Sequence, residues 1–321
     1  MENTIIKKFQ TSLGTLAYFD IGEGPAVVLF HGFPDTPLTF SHLVPALNAS
    51  GYRCIVPFMP GYGESCLPRT ADGPFKATDA SMLGIGKMID EFLTSLVPGE
   101  AIKLIGHDWG SLLAQMLIAL NDESPQAVYQ IDQAVLYAVP PMGSFYRNLS
   151  LKQMFRSRYM MYFQGLGVAK TIRKAKLAYI KTLWQRWSPW TAEELEQQIQ
   201  LKRSLQTLAE GRCLENGMAY YRHLLNPFYM LRGSSIIRQH QLLLKKRSCP
   251  CLLLVGASDE CIGAEMFAGS EACYPHPDTQ LMVLENLGHF AHLENPGKVN
   301  LIITDFLQAI EQKNHQAGVS A

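Results

Sequence analysis

Apolar runs of strand length punctuate the first half of the chain, at residues 26–31, 52–57, 101–106 and 133–139. Between them lie longer segments, 79–96 and 109–120, whose apolar residues recur at three- and four-residue spacing and so predict amphipathic helices. Strands that are almost continuously apolar, rather than alternately so, fit a parallel sheet covered on both faces, and the intervening helices are the connections such a sheet needs. The pattern then breaks. Across residues 141–244 no comparable strand occurs, while helical periodicity and dense aromatics, including Trp184, Trp187 and Trp190, predict a helical insertion. Strand signals resume at 251–256 and 280–285, ahead of a closing helix at 296–310 with Pro296 in its first turn. From Lys313 onward the residues are small and polar, and fraying is expected. The expected organisation is an α/β core of residues 1–140 and 245–321, split by a cap of residues 141–244.

Composition narrows the class. The 321 residues are 47% hydrophobic and 17% charged, enough apolar material for a substantial core. With 28 basic and 28 acidic side chains the formal net charge is zero, which excludes a globally basic nucleic-acid binder and a disordered chain. Neutrality is a sum of unlike parts: residues 141–244 hold 16 Lys and Arg against 5 Asp and Glu, and the remainder carries the balancing acid. Two readings stay open: a basic cap seated on an acidic core, which is favoured, and a cap face that meets anionic lipid or an anionic partner. The first nine residues are polar, with Lys7 and Lys8, and lack the layout of a secretory signal. No run approaches the roughly 20 apolar residues that cross a bilayer. A cytoplasmic protein without stable membrane insertion is expected. Seven scattered cysteines, an odd number, favour free thiols, and Cys249-Pro-Cys251 is too close and isolated for a metal site, so no metal and no cofactor are expected.

Candidate chemistry gathers at the carboxyl ends of the predicted strands. Gly106-His-Asp-Trp-Gly110 joins a strand directly to a helix, the layout of a nucleophile elbow with Asp108 at its apex beside the positive helix end. A carboxylate so placed can displace a leaving oxygen or halogen at saturated carbon and form an ester. Taken singly, an Asp there also reads as an ordinary helix cap. Ser111, the rival nucleophile, falls inside the helix and reads as structural. His31-Gly-Phe-Pro34 follows the strand at 26–31 and can aim the Phe33 N–H into the crevice, where the Trp109 N–H completes a two-donor oxyanion hole. Asp259 and His289 follow the last two strands, in the chain order nucleophile, acid, histidine; Glu260 is the competing acid, and His31, His107 and His292 read as structural.

With these motifs in place the chain resembles the α/β-hydrolase superfamily, and within it the epoxide hydrolases. The resemblance also rests on Gly61-Tyr-Gly-Glu-Ser65, Glu294-Asn-Pro296 and two cap segments, Arg158-Tyr-Met-Met-Tyr-Phe-Gln164 and Met218-Ala-Tyr-Tyr-Arg222. It implies an α/β-hydrolase fold with a helical cap, and it implies that Tyr159 and Tyr221 point from the lid at the substrate oxygen, with Trp109 beside them. Where the family often has Pro after Phe-Gln, this chain has Gly165. The expected activity is conversion of an epoxide to a vicinal diol through a covalent ester on Asp108, with His289 and Asp259 activating water. The rival readings are a haloalkane or haloacid dehalogenase with the same Asp-His-Asp set, and a catalytically silent ligand-binding protein of this fold. The expected partners are a small epoxide and water, not nucleic acid, with a homodimer left open.

Overall fold

The computed structural model describes residues 4–69, 79–124, 126–225 and 234–319. Its centre is an eight-stranded sheet in the order β1-β2-β4-β3-β5-β6-β7-β8. The strands are β1 (Lys7–Thr11), β2 (Gly14–Ile21), β3 (Ala26–Phe30), β4 (Arg53–Pro57), β5 (Ala101–His107), β6 (Gln130–Tyr137), β7 (Cys251–Gly256) and β8 (Gln280–Leu284). The β1–β2 and β2–β4 pairings are antiparallel and the remaining neighbours run parallel. All of β3 and β7 is buried, as continuous apolar character requires of strands covered on both faces.

The antiparallel edge formed by β1 and β2 is absent from the sequence expectations. Four of the five residues of β1 are not fully buried, and Lys7 and Lys8 read as a polar terminus. What makes β1 a strand is its register against β2, closed by a turn in which the Thr11 hydroxyl accepts from the N–H groups of Leu13 and Gly14. A basic edge strand also resists pairing with other chains.

Helices α1 (Leu43–Ala49), α2 (Met82–Leu96) and α3 (Trp109–Glu123) lie between strands of the first half. The α2 helix starts later than its periodicity suggests, because the Ser81 hydroxyl accepts from the Gly84 N–H and fixes the cap there. Between β6 and β7 come α4 (Met142–Arg147), α5 (Leu151–Arg156), α6 (Arg158–Tyr162), α7 (Val168–Lys174), α8 (Ala178–Trp187), α9 (Ala192–Gln197), α10 (Ile199–Ala209), α11 (Cys213–Leu225) and α12 (Ser234–Leu244). Residues 226–233, within this insertion, lie outside the described residues. After β8 follow α13 (Ala291–Glu294) and α14 (Pro296–Val319).

The α14 helix continues beyond the point where fraying was expected, since no strong breaker follows Lys313 before Gly318. Its Glu311 also reaches inward, 2.8 Å from the ammonium of Lys103, the charged residue buried within β5. None of the described helices is long and apolar enough to cross a membrane.

Candidate active site

The site assembles where β3, β5, β7 and β8 end. At the end of β5 the chain turns into α3 through Asp108, whose φ of 54° lies in the left-handed region that a side chain ordinarily avoids. Two glycines permit the turn. A Cβ on Gly106 would stand 2.2 Å from the Gly110 carbonyl oxygen, and one on Gly110 would stand 2.0 Å from that of Phe30. The packing leaves no room for either, so β5, β3 and α3 close around the apex and project Asp108 above the sheet.

Asp108 is then held from two sides. Its Oδ1 accepts from the Phe33 N–H at 2.8 Å, and its Oδ2 lies 3.7 Å from His289 Nε2. A Cβ on Gly32 would come within 2.3 Å of Oδ1, so the glycine before Phe33 is what lets this loop approach the carboxylate. Burial pushes the Asp108 pKa up, and its net position stays above the usual carboxylate value. Opposing that rise are the His289 charge and the hydrogen bonds from the Phe33 and Trp109 N–H groups. Both proposed oxyanion donors therefore act on the same carboxylate.

His289 Nδ1 lies 2.8 Å from Asp259 Oδ2, and Asp259 Oδ1 in turn accepts from the Cys261 and Ile262 N–H groups. Burial tends to lower the His289 pKa, but the charge and hydrogen bond of Asp259, with Asp108 beyond, outweigh it and the net direction is up. Glu260, the competing acid, faces away and binds the Arg156 guanidinium through both oxygens. Ser111 donates to the Val139 carbonyl, consistent with a structural role for that hydroxyl. His31 is likewise bound at both nitrogens, to the Gly32 carbonyl and the Met59 N–H, and burial pushes its pKa down to about 3.

The insertion forms the roof. Tyr159, on α6, and Tyr221, on α11, are buried with their rings 5.6 Å apart. Tyr221 packs edge-on to Trp109 and Phe33. The Tyr159 hydroxyl is 3.5 Å from Cys261 Sγ, and that sulfur, an Asp108 carboxylate oxygen and a His289 nitrogen all lie within 4.8 Å of one another. This contact chain carries a lid phenol to the elbow. Burial raises both phenol pKa values well above 10, so each remains a hydrogen-bond donor at neutral pH. The loop after Phe163, where Gly165 stands in place of Pro, is tied to α11: Gln164 donates to the Tyr221 carbonyl and Arg222 to those of Phe163 and Gly165.

Three site neighbours escaped sequence reasoning. Cys261 was counted only as one more scattered thiol, yet it stands between Tyr159 and Asp108. Trp187 lies 5.0 Å from Tyr159 and 5.1 Å from His289, ring to ring. Phe163 packs against Phe33 and Tyr221. The position of Cys261 two residues after Asp259 was the available signal, and Phe163 lay within the quoted lid segment; Trp187 offered only aromatic density.

The remaining scaffold is explicit. Glu294 accepts from the Gly288 and Phe290 N–H groups and so fixes the loop bearing His289. Across the roof, Trp184 stacks on Phe290 with ring centroids 3.9 Å apart and donates from its indole to the Pro34 carbonyl.

Comparison with known proteins places this geometry. A family model described as alpha/beta hydrolase fold matches residues 25–296. The bifunctional epoxide hydrolase 2 of Rattus norvegicus is 24% identical over 312 residues, 91% of this chain but 53% of that protein. Epoxide hydrolase A of Mycobacterium tuberculosis is 30% identical over 159 residues, 48% of this chain and 46% of the relative. The chain thus spans about half the length of these relatives. Among solved structures, an epoxide hydrolase from Vigna radiata superposes with a TM-score of 0.73 at 22% identity, covering 96% of this chain and 99% of the other. One from Mycobacterium thermoresistibile gives 0.70 at 22%, covering 95% and 98%. At those identities the structural likeness shows the fold.

Proposed function

The chain belongs to the alpha/beta hydrolase fold family, and from that premise we propose that it hydrolyses epoxides to vicinal diols without a cofactor. The observation that carries the reading is the pairing of a buried elbow carboxylate with two lid phenols, Tyr159 being linked to it through Cys261. In the first step Asp108 Oδ2 attacks a ring carbon from behind. A carbon–oxygen ester bond forms as that carbon's bond to the ring oxygen breaks. Tyr159 and Tyr221 hydrogen-bond the departing oxygen, and one of them supplies its proton, a task suited to phenols kept protonated by burial.

The second step follows from the charges. Esterification removes the negative charge of Asp108, one of the groups that hold a proton on His289. Its pKa falls, so the imidazole is more readily deprotonated and free to accept a proton at the moment a base is needed. Among the described residues its Nε2 has no hydrogen-bond partner, and it faces Asp108, so it is positioned to take a proton from water as the water oxygen attacks the ester carbon. The Phe33 and Trp109 N–H groups hold the resulting oxyanion. Collapse breaks the ester bond between the Asp108 carbonyl carbon and the substrate oxygen, which takes the proton from the His289 imidazolium. The water's remaining proton leaves the new carboxyl and returns to the tyrosinate, so the diol departs and the carboxylate, imidazole and phenol are all restored.

The test is intact-mass measurement of His289→Gln after exposure to styrene oxide. The expected result is a stable adduct of one substrate on the protein, localised to Asp108, with no diol released. Absence of an adduct, while the wild type turns over, defeats the covalent route. The dehalogenase alternative draws on one observation, the unpartnered indole N–H of Trp187 beside His289. Halide release from haloalkanes without diol formation from epoxides would favour it.

A further inference from the structure

The lid segment that supplies Tyr159 is two-sided. Tyr159 is 4% exposed, whereas Leu151 is 84%, Met154 58%, Phe155 66% and Met161 66% exposed, and Leu166 is fully so. Leu151, Met154 and Phe155 recur at i, i+3 and i+4 and share one face of α5. Monomeric proteins seldom leave such side chains together in water without a use for them.

Charge identifies the occupant. Between Asp132 and Glu193 the chain has no acidic residue and ten lysines and arginines. Among the described residues, Arg156 is paired with Glu260 and Glu265, Arg173 with Glu215 and Lys181 with Glu196, and no ion pair is described for the other cations of this stretch. The Arg158 guanidinium lies over the Phe155 ring, 4.2 Å from its centroid, a pairing that keeps a cation and an apolar ring on one surface. On the same insertion a hollow of about 520 Å³ is lined by Arg173, Lys176 and Lys202 with no acidic side chain in its wall.

We propose that this outer lid face docks peripherally on an anionic lipid bilayer, its apolar side chains entering the headgroup region and its lysines and arginines meeting the lipid phosphates. A second copy of the chain would set one basic face against another, at a repulsive cost. A rigid protein partner would need pockets for five protruding side chains, whereas a fluid acyl layer needs none. The docking does not depend on the reaction. Its consequence does: on the epoxide reading, a lipophilic epoxide dissolved in the bilayer would lie next to the roof of the site.

The test is co-sedimentation of the whole chain with phosphatidylcholine vesicles prepared with and without phosphatidylglycerol. Binding is expected on the anionic vesicles, falling about five-fold for each of Lys152→Gln and Lys170→Gln and weakening with salt. It is expected to vanish in the triple variant Met154→Ser, Phe155→Ser, Met161→Ser, with circular dichroism unchanged because all three are exposed. Equal binding to both lipids overturns the proposal, as does binding to neither, or a dimer in ultracentrifugation that the triple substitution dissolves. Styrene oxide turnover in vesicle-free buffer, measured on the same preparations, separates a failure of docking from a failure of the reaction reading.

Discussion

Asp108 and Tyr221 both touch Phe33 but are held by different means. The carboxylate is fixed by main chain: a strained φ, two glycines without room for a Cβ, and N–H donors from adjoining loops. The phenol is fixed by ring packing against Trp109, Phe33 and Phe163. Backbone geometry is stiff and, on the proposed mechanism, would aim the carboxylate along one line of attack. Packed rings can shift slightly as an oxygen moves off a carbon. The base is therefore expected to tolerate no change at its apex, and the lid to degrade in steps.

The sharpest break in that comparison is Asp108→Ala, expected to lower turnover by about 10⁴-fold or more, because no other group supplies the bond-forming oxygen. Residual diol formation within tenfold of the wild type would move the nucleophile elsewhere. Next come the phenols. Tyr159→Phe and Tyr221→Phe should each cost about 10²-fold, general acid catalysis being worth 10²- to 10⁴-fold. The double variant should fall below the product of the two single losses if each phenol partly covers for the other. An effect of either below threefold would make the lid phenols packing residues only.

A pH measurement links the two regions through His289. Its folded pKa is raised, with Asp108 among the causes, so Asp108→Ala should move the imidazole titration midpoint down relative to the wild type, read by ¹⁵N NMR. The sign follows from removing a negative charge that favoured the protonated form. Activity in the wild type should fall on the acid side, about tenfold per pH unit below the pKa of His289 in the esterified enzyme, as the base stays protonated. A midpoint that stays fixed, or rises, would mean that the 3.7 Å approach of Asp108 and His289 has no energetic content.

How much of this the sequence discloses follows the same division. Asp108, Asp259, His289 and the Phe33 loop are legible because each follows a strand whose apolar run marks it, and glycine spacing encodes the elbow locally. The strand β1 is illegible because pairing, not pattern, makes it, whereas β2 does carry a buried apolar run, Leu16 to Phe19, that the expectations left out. Trp187 converges on the site only through tertiary packing, which no spacing announces, whereas Cys261 is signalled by its place after Asp259 and Phe163 by the lid segment that carries the resemblance. Tyr159 and Tyr221 come from resemblance to a family, since thirteen tyrosines and a helical period single out none. The charge asymmetry is plain in the sequence, and among the described residues the cap cations that pair with core carboxylates include Arg156 with Glu260 and Glu265 and Arg238 with Glu123.

That last point gives the smallest expected effect and the finest test of how the lid is seated. Arg156 is buried, while Glu260 and Glu265 keep 49% and 44% of their side-chain exposure. Replacing it by Met retains much of the stem's packing and returns both carboxylates to water, so no buried charge is stranded. The cost should be near that of exposed ion pairs, about 1 kcal/mol or less. Trp184→Ala, by contrast, removes a ring stacked 3.9 Å from Phe290 and an indole hydrogen bond, and belongs with large core truncations at about 3–5 kcal/mol. Limited proteolysis within residues 141–244 reads both. Cleavage should accelerate strongly in Trp184→Ala and barely in Arg156→Met, and added salt should change the wild-type rate little, since screening acts on the minor contribution. The reverse ranking would mean that charge holds the lid down and the stacked rings merely follow.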